Sequence, residues 1–235
     1  MRAEENIVWA VSPSAPRAFA YGERHFDATD PGEYDVNRAE YFFKLAAAED
    51  PTLPYVYHEL ARIDFLRGYF RSALAKIDFQ ISMHGDNTPN SYYIRGLIEG
   101  YMGNYTASIA DYRHFLQFDS TDWAAMNDYA WVLLKAHRAQ EAVDVTKKGL
   151  ALFPYNPWLL NTNATALYEI GDIKHAYLQA QLAVSMSNTL TESSWLHAYP
   201  GNDPQVAVQG IETFQKAAAD NMHTIRLAFA SSTVQ

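Results

Sequence analysis

One pattern of apolar, small and turn residues is repeated along most of the chain, most clearly between residues 89 and 188. A small residue recurs every 34 or 35 positions, at Ala39, Ala73, Ser108, Ala142, Ala176 and Gly210. A second small residue lies twelve positions before this marker in four copies, at Ala61, Gly96, Ala130 and Ala164. A turn residue lies five positions before it, at Gly68, Gly103, His137 and Gly171. This spacing predicts repeated helical hairpins in which the marker lies where two helices cross.

The repeat length and residue order resemble the tetratricopeptide repeat (TPR), a helix–turn–helix unit of about 34 residues. The third copy carries the resemblance in Met126, Tyr129, Ala130, Leu133, Ala142 and Pro154, and the fourth in Leu160, Ala164, Leu167, Gly171, Ala176 and Ala183. Some positions depart from the motif: Arg95 and Glu99 replace apolar residues, Asp64 replaces Tyr, and Thr146 replaces Phe. These departures weaken the assignment of individual helix faces but not the repeat.

The predicted fold is all-α, a right-handed superhelix (α-solenoid) of about five TPR-like helix pairs with degenerate ends. We expect an extended arm over residues 1–14, a repeat domain over 15–221 and a tail over 222–235 that begins as a short helical remnant and is loose at 230–233. The repeats are predicted at 15–51, 54–88, 89–122, 123–156 and 157–188, with a degenerate half-repeat at 189–221. The breaker-rich run at 199–204 interrupts the last of these.

Composition narrows the classes of partner. The formal net charge is −9 and no Lys/Arg cluster breaks the acidic balance, which argues against nucleic acid and against a polybasic membrane-binding surface. The apolar run at 7–11 is too short for a membrane span. We expect a soluble chain, cytoplasmic by default, or exported or membrane-tethered if an anchor precedes Met1 in the native protein. Cysteine is absent, which excludes disulfides and thiolate chemistry.

No catalytic motif is present in the sequence. It has no Gly-rich phosphate loop, no His-Glu-x-x-His pair and no Gly-x-Ser-x-Gly elbow. The eight histidines are scattered without ligand spacing, so we predict no metal, no cofactor and no enzyme activity. A site that joined His58, Asp64 and another titratable group would reopen the question of catalysis.

The resemblance implies that the first helix of each repeat lines a concave groove. Carried over by position, the expected partner-binding residues are Arg62, Asn90, Tyr93, Tyr101, Asn127, Trp131, Lys135, Trp158, Asn161 and Tyr168. The aromatic rings would bury apolar side chains of the partner, and the asparagine amides would bond its backbone. Large aromatics on first helices are equally consistent with packing between neighbouring helices.

The sequence therefore predicts a non-enzymatic scaffold or assembly factor that holds a peptide or segment of a partner protein. The alternative is a self-capped regulatory module whose C-terminal segment, around Trp195 to Tyr199, occupies or gates the groove. Association with a second copy through the repeat ends is left open.

Overall fold

The computed structural model describes residues 14–199 and 201–232, which contain twelve α-helices and no β-strand. The helices are α1 Ala15–Phe26, α2 Val36–Glu49, α3 Val56–Leu66, α4 Phe70–His84, α5 Asn90–Met102, α6 Tyr105–Phe118, α7 Trp123–Lys135, α8 Ala139–Leu152, α9 Pro157–Glu169, α10 Ile173–Ser187, α11 Glu192–Ala198 and α12 Ala207–Ser232. Short 3-10 turns cover Gly85–Asn87 and Pro204–Val206. The predicted all-α class is confirmed, and the arm predicted over 1–14 lies, except for Ser14, outside the described residues.

These helices form two compact units. The N-terminal unit comprises the chain up to Met102 together with Tyr199–Gln205, and holds the pairs α1/α2 and α3/α4 and the helix α5. The C-terminal unit comprises Gly103–Ala198 and the chain from Val206 onward, and holds α6, the pairs α7/α8 and α9/α10, and the last two helices. Short loops join the helices within each pair, as expected for consecutive repeats.

The small-residue marker lies in the core of both units. Five of its six members have no exposed surface: Ala39, Ala73, Ser108, Ala142 and Ala176. A side chain larger than alanine or serine at these positions would push the helices of a pair apart. Around the markers of the N-terminal unit lie two apolar clusters, one of Phe26, Ala39, Phe43, Leu60 and Ile63, the other of Ala61, Ala73, Ile77, Ile94 and Ile98.

The residues at the predicted turn positions have left-handed backbone conformations. Gly68, Gly103 and Gly171 have φ of +76°, +83° and +84°, and His137 has φ of +58°. The same pair of bonds closes three of these turns; at one, the Arg138 amide donates to the Leu133 carbonyl at 2.8 Å and the His137 amide to Leu134 at 2.9 Å. These bonds satisfy carbonyls at the helix end.

Four helices, α2, α7, α9 and α10, are capped at their start by an Asp or Asn side chain. Asp122 accepts a bond from the Ala125 amide at the start of α7, and Asn156 accepts one from Leu159 at the start of α9. Each cap satisfies an amide that has no partner inside the helix.

Two departures from the repeat motif are compensated inside the chain. Asp64 is buried and forms an ion pair with Lys76. The Thr146 hydroxyl donates to the Ala142 carbonyl at 2.7 Å and accepts a bond from the Asn163 amide at 2.8 Å. Buried polar groups are tolerated when they are bonded in this way.

The C-terminal helix extends further than the sequence indicated. Helix α12 continues to Ser232, past the boundary at 221 where the tail was predicted to begin. Its later turns have apolar contacts to stabilise them: Ile225 is buried, and Phe229 stacks on Tyr177 of α10 with ring centroids 4.8 Å apart. This packing on α10 takes the place of a further repeat and covers the end of the C-terminal unit.

Replacing His137 with glycine is expected to stabilise the protein by about 0.5–1 kcal/mol. The left-handed conformation costs a non-glycine residue about 1–2 kcal/mol, and the extra freedom of glycine in the unfolded chain offsets part of the gain. The His137 side chain is exposed, so no packing is lost. Urea unfolding measures the change. Gly171→Ala, at the equivalent turn, is the matched control and is expected to lose about 1 kcal/mol; a less stable His137→Gly variant would contradict this account.

Candidate functional site

In the C-terminal unit, one stripe of α7 combines exposed aromatic surface with a cation. Asn127, Trp131 and Lys135 are spaced four residues apart and therefore lie on one side of the helix. Trp131 is 36% exposed, and the Lys135 ammonium lies 5.5 Å from the centroid of its ring. We call Trp131 and Lys135 the Trp131 surface. Both were predicted to contact a partner, and both are accessible.

The two asparagines expected to bond a partner backbone are engaged within the chain. The Thr162 hydroxyl of α9 donates to Asn127 Oδ1 of α7 at 2.8 Å. The Asn221 amide of α12 donates to Asn161 Oδ1 of α9 at 3.0 Å. Helix α9 is thus linked to α7 and to α12 by polar side chains at two of the predicted asparagine positions. Nothing in the repeat pattern identified Asn221 as a partner, because it lies at the end of the degenerate half-repeat, where the motif is incomplete.

Trp158 is a core residue rather than a surface residue. It is 7% exposed and stacks on Trp123 at 5.1 Å and on Phe214 at 5.4 Å, with Trp195 at 6.3 Å. Helices α11 and α12 supply two of these rings, and Gly210 permits the approach because a Cβ there would lie 2.2 Å from Trp195. The expected exposure of Trp158 is therefore corrected: the C-terminal helices cover it. Tyr168, on the same helix, is half-buried.

In the N-terminal unit the predicted residues have different surroundings. Tyr101 is 58% exposed and meets Phe65 edge-on, with ring centroids 5.1 Å apart. Tyr93 is half-buried against the cluster that contains Ile94, and Asn90 is exposed at the start of α5. Tyr101 thus adds exposed aromatic surface to this unit.

Arg62 is held from several sides. Its guanidinium donates to Glu59 at 2.7 Å and lies 4.8 Å from the ring centroid of Phe26. Gly201 also approaches it, since a Cβ on that glycine would lie 2.7 Å from Arg62 Nη2. The Gly201 carbonyl accepts a bond of 2.7 Å from the Tyr34 hydroxyl. Burial, together with the charge of nearby Asp203, raises the pKa of Tyr34 to about 12.

Three buried polar residues, His58 and Glu59 of α3 and Ser91 of α5, form a cluster near Arg62. His58 Nδ1 and Ser91 Oγ are 3.1 Å apart, and Glu59 Oε1 lies 3.8 Å from His58 Nε2. Burial, and secondarily the Arg62 charge, lowers the pKa of His58 to about 3, so the imidazole is neutral at physiological pH. Burial raises the pKa of Glu59 despite its bond to Arg62.

The residue types Ser, His and Glu are those of a hydrolase triad, but the arrangement serves packing. Ser91 has no exposed surface and lies on α5, where its contact with His58 links two consecutive first helices. A nucleophile must reach its substrate, and a fully covered hydroxyl does not. Burial, with a secondary contribution from the Arg62 charge, accounts for the strongly lowered pKa of His58.

A shallow cavity of about 390 Å³ lies on the C-terminal unit between α6 and α8, above α7. Two of its charged lining groups, Arg113 and Glu141, are paired: Arg113 donates to the Tyr129 hydroxyl at 2.6 Å and to Glu141 at 2.9 Å, and Arg138, outside the lining, donates to Glu141 at 2.6 and 2.7 Å. Among residues 14–199 and 201–232, no group of three or more metal-ligand side chains is arranged to hold an ion. Within the same ranges, no helix has both the length and the apolar character needed to cross a bilayer.

Comparison with known proteins identifies the fold. No protein-family model matches the chain, and no curated protein matches it significantly. Among solved structures, YrrB, described as a TPR protein with an unusual peptide-binding site, has a TM-score of 0.57 at 12% identity, covering 65% of this chain and 78% of YrrB. MamA has a TM-score of 0.61 at 14% identity, covering 74% and 92%. MamA from Desulfovibrio magneticus RS-1 has 0.54 at 18% identity, covering 77% and 97%.

The chain has the TPR fold. The suspected family resemblance and the helical-repeat class are therefore confirmed at the level of fold. At these identities the likeness extends to architecture, and the function of a TPR chain depends on the side chains that it exposes.

Because His58 is kept neutral in this TPR core, we expect acid to destabilise the protein. The unfolded chain takes up a proton on His58 below about pH 6.5, whereas the folded chain takes it up only near pH 3, so stability falls as pH falls through this window. From His58 alone the loss is about 2 kcal/mol at pH 5. Glu59 acts in the opposite sense, since a raised carboxyl pKa adds stability as pH falls.

Urea unfolding between pH 7 and pH 5 measures this dependence. His58→Asn, which removes the titrating group, is expected to flatten the profile, whereas His223→Asn, at an exposed position of α12, is expected to keep it. Equal profiles for wild type and His58→Asn would contradict the assignment of the acid sensitivity to this residue.

The contrast between Trp158 and Trp131 predicts different losses of stability. Trp158→Ala leaves a cavity among three rings and is expected to cost about 3–5 kcal/mol, whereas Trp131→Ala is expected to cost about 1 kcal/mol or less. Urea unfolding of both variants gives the comparison. Equal losses would place the two side chains in the same environment and contradict the packing described above.

Proposed function

We propose that the protein is a TPR scaffold or assembly factor that binds a segment of a partner protein, with the Trp131 surface as its principal contact in the C-terminal unit. The supporting observation is that Trp131 combines an exposed indole with the Lys135 ammonium on one stripe of a first helix. Exposed tryptophans are common anchors of interfaces because they bury a large apolar area. Likeness to YrrB, described as peptide-binding, supports the same class of function.

The partner segment would present an apolar side chain followed closely by a carboxylate. The indole of Trp131 would bury the apolar group, and the carboxylate would pair with the exposed ammonium of Lys135. In the N-terminal unit, Tyr101 and Tyr93 are proposed to contribute aromatic contacts of their own, with Asn90 and Arg62 at the polar edge. Asn127, Asn161 and Tyr168 support the C-terminal surface, the two asparagines through their interhelical bonds.

Selection of peptides from a random display library tests this proposal. Wild-type protein is expected to enrich sequences with an apolar residue near an acidic one, and Trp131→Ala and Lys135→Ala are expected to bind them at least about tenfold more weakly. Tyr155→Ala, which removes a 66% exposed ring at the turn before α9, is the matched control and is expected to bind normally. Enriched peptides that bind Trp131→Ala as well as they bind wild type would place the contact elsewhere.

A second candidate function, a self-capped regulatory module, is favoured by one contact. Gly201 belongs to the N-terminal unit and accepts the Tyr34 hydroxyl bond beside Arg62, a residue proposed to meet a partner. Deleting everything beyond Asn188 is a poor test, because it also removes α12 and uncovers Trp158. A substitution confined to the segment itself is needed.

A further inference from the structure

The N-terminal unit contains a small site that is shaped around one glycine. Phe26, Tyr34 and Arg62 surround Gly201, which is buried. We call these three side chains the Gly201 site. They come from α1, the loop before α2, and α3, whereas Gly201 lies more than a hundred positions further along the chain. The segment therefore occupies this site by tertiary contact, without help from neighbouring sequence.

Two independent features make glycine necessary there. Its φ is +91°, a region that side chains rarely adopt. A Cβ would also lie 2.7 Å from Arg62 Nη2 and 3.2 Å from Phe26 Cζ. The site thus selects a tight turn whose central residue has no side chain.

The remaining contacts are ones that a turn from another chain would satisfy equally well. The Tyr34 hydroxyl donates to a backbone carbonyl, which every peptide carries. The Arg62 guanidinium is fixed over Phe26 and by Glu59, so the wall of the site is held in place by the N-terminal unit itself. Only the need for a residue without a side chain at the position of Gly201 restricts which turns can bind.

We infer that Phe26, Tyr34 and Arg62 form a binding site for a glycine turn, which residues 201–203 of the same chain fill and from which a partner's glycine turn would have to displace them. This inference rests on the second candidate function and names its site and its ligand class. A tethered segment acts at an effective concentration on the order of millimolar, so it excludes a weakly binding competitor. Binding at this site is consequently restricted to partners that bind more tightly than the chain's own turn.

The test uses the full chain and a labelled synthetic peptide with the sequence of residues 196–207. Gly201→Val should release the internal segment, because valine fits neither the backbone conformation nor the space. The variant is expected to bind the peptide about tenfold or more tightly than wild type, whose site is occupied. A peptide with the same Gly201→Val change is expected not to bind, and Gly32→Val, at an exposed turn of the same unit, is expected to behave as wild type. Fluorescence anisotropy measures binding, and circular dichroism checks folding.

A milder variant keeps the test decisive if Gly201→Val folds poorly. Tyr34→Phe removes only the hydrogen bond to Gly201 and is expected to speed hydrogen exchange of the amides of residues 201–203, 205 and 206 several-fold over wild type, with exchange in α3 unchanged. Equal peptide binding by wild type and Gly201→Val, or unchanged exchange in Tyr34→Phe, would overturn the inference. Both measurements follow the chain's own segment. Neither outcome therefore tests partner binding at the Trp131 surface, which the peptide selection tests separately.

Discussion

The burial of one small side chain at each helix crossing is the constraint on which the rest of the structure depends. Five markers, from Ala39 to Ala176, have no exposed surface. With so little volume between the backbones, the two helices of a pair approach closely, and larger apolar residues fill the spaces on either side. The same constraint fixes which side of each first helix remains available. The exposure of Trp131 on the first helix α7 is consistent with that orientation.

Part of this side of the first helices is occupied by contacts with other helices of the same chain. Asn127 bonds Thr162, Asn161 bonds Asn221, and Trp158 stacks between rings that include two from the last helices. Polar bonds and ring stacking of this kind link consecutive helices of a repeat array, whose stability depends on contacts between neighbours. A residue at a position that contacts ligands in other repeat proteins is therefore available to a partner only where the next helix does not use it. Trp131 and Lys135 retain exposed surface on α7.

Burial is also the main cause of the pKa shifts on α3. His58 and Glu59 have pKa values shifted toward their neutral forms, chiefly because they are covered, and Arg62 is positioned by Glu59 and Phe26. Strongly shifted pKa values often mark catalytic groups, but they arise wherever an ionisable side chain is packed between helices. Here burial, and secondarily the charge of Arg62, accounts for the lowered pKa of His58.

The sequence by itself determined the repeat period, the small residues at the crossings and the positions of the turns, because each of these depends on contacts within one repeat or on local backbone preference. It could not determine that Trp158 is covered, that Asn161 bonds Asn221, that α12 continues to Ser232, or that Gly201 packs against Arg62. Those features join residues from 37 to 139 positions apart (158 to 195, and 62 to 201), or depend on packing beyond the last repeat, where periodicity carries no information. Only the tertiary structure decided them, because long-range burial depends on which surfaces meet and not on the spacing within a helix.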